Sequence, residues 1–408
     1  MTSTHGANGT ALVVLDEWPW PIRSGMQLRA AQMLETLASE GMTLIALLPA
    51  RALRADMAPP PLPIRLTAVG EGAFDAALRR MSYWMHRLAR REIGWASLSR
   101  VPIGQQLRVM RLTRRLRPAV VLVMLAKNAA AVRWLPREAH TLLDAVDIFS
   151  LNRDRWIAVE RIIGPAPVDP HTVSASGLEA DVSSSTPVAP DCLDVVASRQ
   201  FDRALLIGRE EAAQVAALAP GTDVCWFPFV MPPKRITRTF GGAAILVVGV
   251  NPFNRQGHAW LVAEVIPLVH AEIPEFQVFV AGPGSNDVIG SDGVTSMGEF
   301  DDIAAMYGSA RMALAPQRNG TGQPIKVLEA AAHGIPSVMT SYAARRTGIV
   351  HGRDGFVADT PVDFAEAMVT FWRDAEKARR MGDQAATCLA RQRDALAADM
   401  PLRPRGQS

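Results

Sequence analysis

The sequence predicts two α/β domains, each built on a parallel sheet. Its 408 residues are too many for one hydrophobic core, and two domains of roughly 200 residues fit the usual size range. Hydrophobic residues make up 49% of the chain and charged residues 20%, which is ordinary for a globular protein. A strand–loop–helix–strand pattern opens the chain at residues 11–48 and restarts at residues 244–340. Such a pattern is typical of parallel strands covered by helices.

The first domain begins with an apolar strand at residues 11–15. A loop rich in Trp and Pro follows at residues 16–25, then a helix at residues 26–39 and a second strand at residues 42–48. Ligands of parallel sheets bind at the carboxyl ends of the strands, so we expect the loop to be part of a ligand site. A nicotinamide site is disfavoured because no GxGxxG pattern follows Leu15.

A strongly basic segment interrupts this domain at residues 79–117. It holds eleven Arg against one acid, Glu92, with Tyr83, Trp84 and Trp95 interspersed. The pattern fits a surface that meets anionic lipid or a diphosphate-linked acceptor. A solvated helix face explains it equally well, and nucleic acid is the less favoured partner.

Further apolar runs predict strands at residues 119–125 and 141–147. Asp144 and Asp147 end the second of these, where an acid either orients an acceptor hydroxyl or caps the following helix. Residues 165–190 are rich in Pro, Ser, Ala and Val and predict a mobile insert. The expected domains are therefore residues 1–232 and 233–375, with a helical segment 376–408 crossing back to the first domain.

The segment 311–340 carries the clearest chemical signal. It predicts a strand, a loop with Gly320 and Gly322, a short helix and a second strand. A diphosphate fits the helix N-terminus, near Lys326, and Glu329 one turn later is suited to accept ribose hydroxyls. A surface ion pair between these two side chains and an ordinary glycine turn remain alternatives.

The same segment resembles the donor motif of the family-4 type retaining glycosyltransferases. Residues 329–336, Glu-Ala-Ala-Ala-His-Gly-Ile-Pro, match the second half of that motif, whereas Thr321 stands where a first Glu is usual. The chain is most similar to the bacterial exopolysaccharide-associated branch, with the likeness extending over residues 276–284 and 294–303. The resemblance implies a GT-B architecture, two facing Rossmann-like domains with a cleft, and transfer of a sugar from a nucleotide donor with retention.

The resemblance also implies roles for individual residues. Lys326, Arg255 and Asp147 are the catalytic candidates, although Gln256 stands where a second donor-site Lys is common. Candidate donor-binding residues are Gly25, Gly298, Phe300, Gly320, Thr321, Gly322, Gln323, Ile325 and Glu329.

The expected partners are a nucleotide-sugar donor, a glycan or lipid-linked acceptor, and an anionic membrane surface at residues 79–117. No cofactor or metal is expected, because Asp301-Asp302 reads as a helix start rather than a metal motif and three dispersed Cys residues lack metal spacing. Without a signal peptide or a long apolar segment, we expect a cytoplasmic protein, with peripheral attachment to the membrane as an option.

Two alternatives to an active transferase follow from the residues. A non-catalytic GT-B scaffold paired with another transferase would explain Thr321 and Gln256. A different enzyme on the same fold, such as a nucleotide-sugar epimerase, would explain the donor motif but not the basic segment.

Overall fold

The computed structural model describes most of the chain. The described residues are 9–22, 24–70, 72–73, 76–77, 101, 103–132, 139–182, 188–234, 236–300, 302–399 and 402. Two compact units emerge, one made of Met1–Ser150, Val188–Phe229 and Met400–Ser408, the other of Leu151–Pro187 and Val230–Asp399.

The first unit contains a seven-stranded parallel sheet. Its strand order is β3-β2-β1-β4-β5-β6-β7. The strands are β1 Thr10–Val14, β2 Thr43–Pro49, β3 Ile64–Val69, β4 Val120–Met124, β5 His140–Val146, β6 Arg203–Leu206 and β7 Asp223–Trp226.

The second unit contains a six-stranded parallel sheet. Its order, β10-β9-β8-β11-β12-β13, reverses direction in the same way as the first. The strands are β8 Ala244–Val247, β9 Val278–Ala281, β10 Val294–Gly298, β11 Met312–Ala315, β12 Ser337–Met339 and β13 Gly355–Val357.

Helices connect the strands in both units. The helices of the first unit are α1 Gly25–Ser39, α2 Ile103–Leu116, α5 Leu193–Ser198 and α6 Arg209–Leu218. Helix α3 Phe149–Ile163 starts in the first unit and continues into the second, and α4 Ala175–Leu178 belongs to the second unit. The remaining helices of the second unit are α7 Pro252–Trp260, α8 Ile266–Glu272, α9 Ile303–Ser309, α10 Ile325–Ala332, α11 Ser341–Arg345, α12 Pro361–Arg373 and α13 Ala375–Asp399. Short 3-10 segments lie at Ala50–Ala52 and Ala126–Val132, and a π-helical segment, Leu261–Val265, joins α7 to α8.

The central strands explain the core of each unit. β4 is buried at all five positions, and β8, β9 and β11 supply most of the apolar side chains that pack beneath the helices of the second unit. Strands buried on both faces read as continuous apolar runs, which is the pattern the sequence shows. The prediction of two parallel-sheet α/β domains is confirmed.

Strand order fixes where a ligand would bind in each unit. The chain reverses its direction of winding between β1 and β4 in the first sheet and between β8 and β11 in the second. In open parallel sheets, ligands bind beyond the carboxyl ends of the strands at this switch point. In the second unit, the loops concerned follow β8 and β11.

Three sequence-based expectations about organisation differ from the structure. Residues 165–182, expected to be part of a mobile insert, have defined contacts within the second unit, including a bridge between Val168 and Val288. The segment 151–187 groups with the second unit rather than the first, and α13 stays with the second unit as far as Asp399. Much of the basic segment, residues 78–100, lies outside the described residues, as do residues 183–187.

Candidate donor site in the second unit

Two loops meet at the switch point of the second sheet. The first leaves β8 and enters α7, whose N-cap Asn251 accepts a hydrogen bond from the backbone N–H of Asn254. The second leaves β11 and enters α10. Gly257 on α7 allows close approach, because a Cβ there would lie 2.8 Å from the carbonyl oxygen of Pro316. The two loops are therefore packed against each other with no room for a side chain between them.

Lys326 lies where these loops meet. Its Nζ donates to Asn254 Oδ1 at 2.8 Å, and Gln317 Nε2 donates to the same oxygen at 2.8 Å. Lys326 belongs to the first turn of α10, Gln317 to the loop after β11, and Asn254 to the first turn of α7. One amide oxygen thus joins residues from both sides of the switch point.

The charge of Lys326 is not neutralised by the protein. Among the described residues no carboxylate forms an ion pair with it, and desolvation lowers the pKa of its amino group to about 7. Nearby His258, 2% exposed, has both ring nitrogens without a hydrogen-bond partner in the described chain, and burial together with Lys326 lowers its pKa to about 4. A partly buried cation without a carboxylate partner among the described residues is suited to receive an anion.

Two residues of the glycine-rich loop have positive φ angles, a conformation that is strained for residues with a side chain. Gly320 has φ of 134° and Gly322 has φ of 70°, both in the left-handed region. A Cβ on Gly320 would lie 2.9 Å from the hydroxyl of Tyr342, and its carbonyl accepts a hydrogen bond from the buried Arg155 at 2.6 Å. The loop is therefore fixed before any ligand arrives.

The helix after this loop begins without a side-chain cap. Pro324 precedes α10 as its N-cap and provides no side-chain acceptor for the first N–H groups. Uncapped N–H groups and the helix dipole favour an anion at this end. Lys326 and the glycine loop flank the same helix terminus. An anion bound there would therefore meet the ammonium group, the loop backbone and the free N–H groups of α10 together.

Glu329 follows Lys326 by three residues on α10. Burial raises the pKa of its carboxyl group, an effect that Lys234 partly offsets. In the described part of the chain, no hydrogen-bond donor is assigned to this carboxylate, and it forms no ion pair with Lys326. The surface ion-pair alternative considered for these two side chains is therefore not what the structure shows.

Arg255 and Gln256 are committed to contacts within the protein. Arg255 is 5% exposed and pairs with Glu160 at 2.8 Å, a hydrogen bond that lowers the pKa of Glu160. Gln256 is fully buried; its Nε2 donates to the carbonyls of Gly177 and Ala180 at 3.0 and 3.1 Å. Its Oε1 accepts from Asn319 Nδ2 at 2.8 Å. The Gln in place of a Lys thus anchors the segment that the sequence predicted to be mobile.

The other predicted donor contacts of the second unit are spread over several elements. Thr321 and Ile325 flank the glycine loop and are partly exposed, and Gln323 donates to the carbonyl of Arg346 at 3.0 Å. Gly298 ends β10 with φ of 69°, and Phe300 beyond it is partly exposed and outside the buried core. The structure brings Lys326, Gly320 and Gly322 together at one end of α10, while Gly298 ends the edge strand β10 and Phe300 lies just beyond it.

Two predicted residues belong to the first unit. Gly25 begins α1, after the N-cap Ser24. Asp147 lies just before α3, and its Oδ1 accepts from the backbone N–H of Ile148 at 2.8 Å. An N-cap side chain accepts from the backbone N–H two or three residues later, so this bond to the next residue is not a capping bond, and the acceptor and capping roles of Asp147 both stay predictions.

The carboxyl edge of the first sheet holds a buried ion pair that the sequence did not reveal. Arg29 and Asp144 are both fully buried and form two hydrogen bonds, at 2.9 and 3.0 Å. The Arg29 guanidinium also lies 4.9 Å from the ring centroid of Phe227. Val146, two residues after Asp144, has φ of 64°, a strained value for a β-branched residue.

Asn254 and Gln317 are the functional candidates that sequence reasoning missed. Asn254 lies three positions before Gly257, and Gln317 directly follows Pro316 in the loop. An Asn-Pro dipeptide at residues 251–252 was the available signal, because it marks a capped helix start that places residue 254 in the first turn.

The described residues contain neither a metal-binding cluster nor a membrane-spanning helix. No group of three or more His, Cys, Asp or Glu side chains in the described ranges is arranged to hold a metal ion. None of the helices that the structure describes combines the length and apolar character needed to cross a bilayer.

Comparison with known proteins relates the part of the chain that holds this site to a protein family. Residues 242–374 match the family model described as glycosyl transferases group 1. A protein of Klebsiella pneumoniae, described as an uncharacterized 44.6 kDa protein in the cps region, is 26% identical over 190 residues. That match covers 42% of this chain and 47% of the relative, so the chain spans about half the length of the curated relative it matches.

Solved structures match almost the whole chain. Sucrose-phosphate synthase of Thermosynechococcus elongatus has a TM-score of 0.60 at 13% identity, covering 96% of this chain and 97% of its own. HepE of Anabaena, in complex with UDP and glucose, has a TM-score of 0.56 at 12% identity, covering 96% and 100%. Trehalose 6-phosphate synthase of Burkholderia multivorans has a TM-score of 0.58 at 12% identity, covering 96% and 98%.

These matches confirm the GT-B fold predicted from the sequence. They also support the predicted enzyme class, because the donor-site loops lie inside the stretch that matches a glycosyltransferase family model. The chain therefore has the GT-B fold, and residues 242–374 match the glycosyl transferases group 1 family model.

Proposed function

We propose that the protein transfers a sugar from a nucleoside-diphosphate donor to a hydroxyl group, with retention of configuration. The observation that carries this proposal is the uncompensated Lys326, beside a fixed glycine loop and an uncapped helix terminus in the group 1 domain. A diphosphate supplies the negative charge that this place lacks.

The residues divide the work in a simple way. Departure of the nucleotide builds negative charge on its phosphate, and Lys326 with the terminus of α10 stabilises that charge. Glu329 accepts hydrogen bonds from the ribose hydroxyls and fixes the nucleotide in place. The retention of configuration rests on the resemblance to the family-4 type enzymes. We propose no metal, so a chelator is expected to leave transfer intact; loss of activity restored by manganese would contradict this.

We further propose a glycan, glycolipid or lipid-linked acceptor and a role in bacterial surface polysaccharide or glycoconjugate synthesis. Support comes from the partial likeness to a protein of a Klebsiella cps region. The predicted exopolysaccharide branch points the same way.

A basic helix supports action at the cytoplasmic face of a membrane. On and just after α2, Arg111, Arg114, Arg115 and Arg117 are exposed, and none of them pairs with a carboxylate of the described residues. Clusters of exposed Arg attract anionic phospholipid, and salt weakens the attraction. We expect the protein to sediment with vesicles containing phosphatidylglycerol and to be released by salt. Equal binding to neutral phosphatidylcholine vesicles would contradict this.

The decisive experiment is calorimetric titration of the purified protein with UDP, GDP and their sugars. Saturable binding of one nucleotide is expected, weakened by Glu329→Ala by about 1.5–3 kcal/mol because hydrogen bonds to a charged group are lost. Glu366→Ala, which removes an exposed carboxylate on α12, is the matched control and should leave binding unchanged.

The scaffold alternative predicts a different result. A partner subunit without catalysis would bind none of these nucleotides, although it would be folded. Unchanged affinity in a folded Glu329→Ala protein would overturn only the ribose assignment.

A further inference from the structure

A single amide holds the key cation of the donor site. Asn254 Oδ1 accepts from Lys326 Nζ and from Gln317 Nε2, both at 2.8 Å. Lys326 has no other hydrogen-bond partner for its ammonium group among the described residues. Since an ammonium group has three N–H donors, two remain for a ligand.

The orientation of Asn254 is fixed by its own surroundings. Its Nδ2 donates to the carbonyl of Gly249 at 3.1 Å, and its backbone N–H donates to Asn251 Oδ1 at 2.8 Å. Reversing the amide would direct its NH2 group at two donors and leave the Gly249 carbonyl without its bond. Asn254 is also 9% exposed, so water competes little for these contacts.

Because the side chain that binds Lys326 is a neutral amide, the charge of the ammonium group is preserved, which a carboxylate would not allow. Asp at this position would form an ion pair with Lys326 and neutralise it before any ligand arrived. An amide fixes the position of the ammonium group and leaves its charge available. His258, whose pKa Lys326 helps to lower, is kept neutral mainly by burial, and Glu329 three residues later forms no ion pair with Lys326 in the described chain.

We propose that Asn254 is a positioning residue that fixes the Lys326 ammonium for the phosphates of the donor without neutralising it. This inference rests on the proposed function and names how one cation of that site is held. Asn254 itself need not touch the nucleotide, since it acts through Lys326.

The test combines a binding measurement with a direct titration of Lys326. The chain has four Lys residues, so 13C-lysine labelling gives few NMR signals, and the Lys326 signal is assigned by its loss in Lys326→Met. UDP affinity is measured on the same samples at pH 7. The variants are Asn254→Asp, Asn254→Ala and the control Gln384→Glu, which makes the same change from amide to carboxylate at an exposed position of α13.

Asn254→Asp is expected to raise the Lys326 pKa and to weaken UDP binding by about tenfold or more, because the new carboxylate both pairs with the cation and repels the diphosphate. Asn254→Ala should weaken UDP binding without raising the Lys326 pKa, and it keeps the test informative where Asn254→Asp does not fold. Gln384→Glu should change neither quantity appreciably.

The failures can be told apart. Wild-type UDP affinity and Lys326 titration in both Asn254 variants would overturn this inference alone. Absence of binding of both UDP and GDP by the wild-type protein would overturn the proposed function, and this inference with it; if GDP alone binds, the affinities are measured with GDP.

Discussion

Nucleotide affinity should depend on pH through Lys326. Its pKa of about 7 in the free protein means that half of the molecules carry an uncharged amine near neutrality. The diphosphate binds the ammonium form, so it must raise this pKa when it binds. Affinity should therefore be highest below pH 7 and fall as the pH rises.

The size of the effect follows from the protonated fraction. Raising the pH from 7 to 9 lowers that fraction from about one half to about 1%, which corresponds to about 50-fold weaker binding if the neutral amine binds poorly. A terminal phosphate loses its last proton at about pH 6, so titration of the ligand contributes little to the change in affinity between pH 7 and 9.

Calorimetry with UDP at pH 7, 8 and 9 measures this directly. Lys326→Arg should flatten the profile, because a guanidinium stays charged throughout. Lys377→Arg, which changes a Lys packed on Phe356 elsewhere in the second unit, should keep the wild-type slope. A wild-type affinity that is constant from pH 7 to 9 would refute the reasoning, as would an equally steep profile in Lys326→Arg.

Three predictions concern stability and are checked by thermal or denaturant unfolding. Lys326→Met should stabilise the protein at pH 7 by an amount of order 4 kcal/mol, because burial lowers the Lys326 pKa from 10.5 to about 7 and so disfavours the folded state at that pH. For the same reason, the free energy of unfolding of the wild-type protein should rise with pH between 7 and 10.5. A flat stability profile over that range would contradict this. Asp144→Ala should cost about 3–5 kcal/mol by leaving the buried Arg29 unpaired, and a loss below about 1 kcal/mol would show that the pair is dispensable. Gly282→Ala should lower the unfolding midpoint by several degrees, because φ is 111° and a Cβ would lie 2.2 Å from the carbonyl oxygen of Val248; an unchanged midpoint would mean that the loop relaxes freely.

Most of the fold could be predicted because its signals are local. The strands β1, β4 and β11 are short apolar runs, and helices such as α10 have Pro at the start and Gly334 after the end. The glycine loop and Lys326 were found for the same reason, since they are neighbours in sequence.

The rest depends on contacts between distant residues, which composition does not encode. Asn254 meets Lys326 across 72 positions, and Arg29 meets Asp144 across 115. Residues 165–182 were expected to be mobile because they contain few large apolar side chains. Their order comes instead from hydrogen bonds to Gln256 and Asn319, which belong to a different part of the chain.

Gln256 decides how the departure from the family pattern should be interpreted. If this position no longer had any role, many residue types would be tolerated there. Gln256, in contrast, donates to two carbonyls and accepts from Asn319 in a fully buried place. A Lys could donate there but could not accept, and it would bury an unpaired charge. Gln256 therefore has a structural role of its own, and its presence does not favour the scaffold hypothesis. It also leaves Lys326 as the donor-site cation without a carboxylate partner among the described residues, so a neutral residue at 254 matters for the proposed activity.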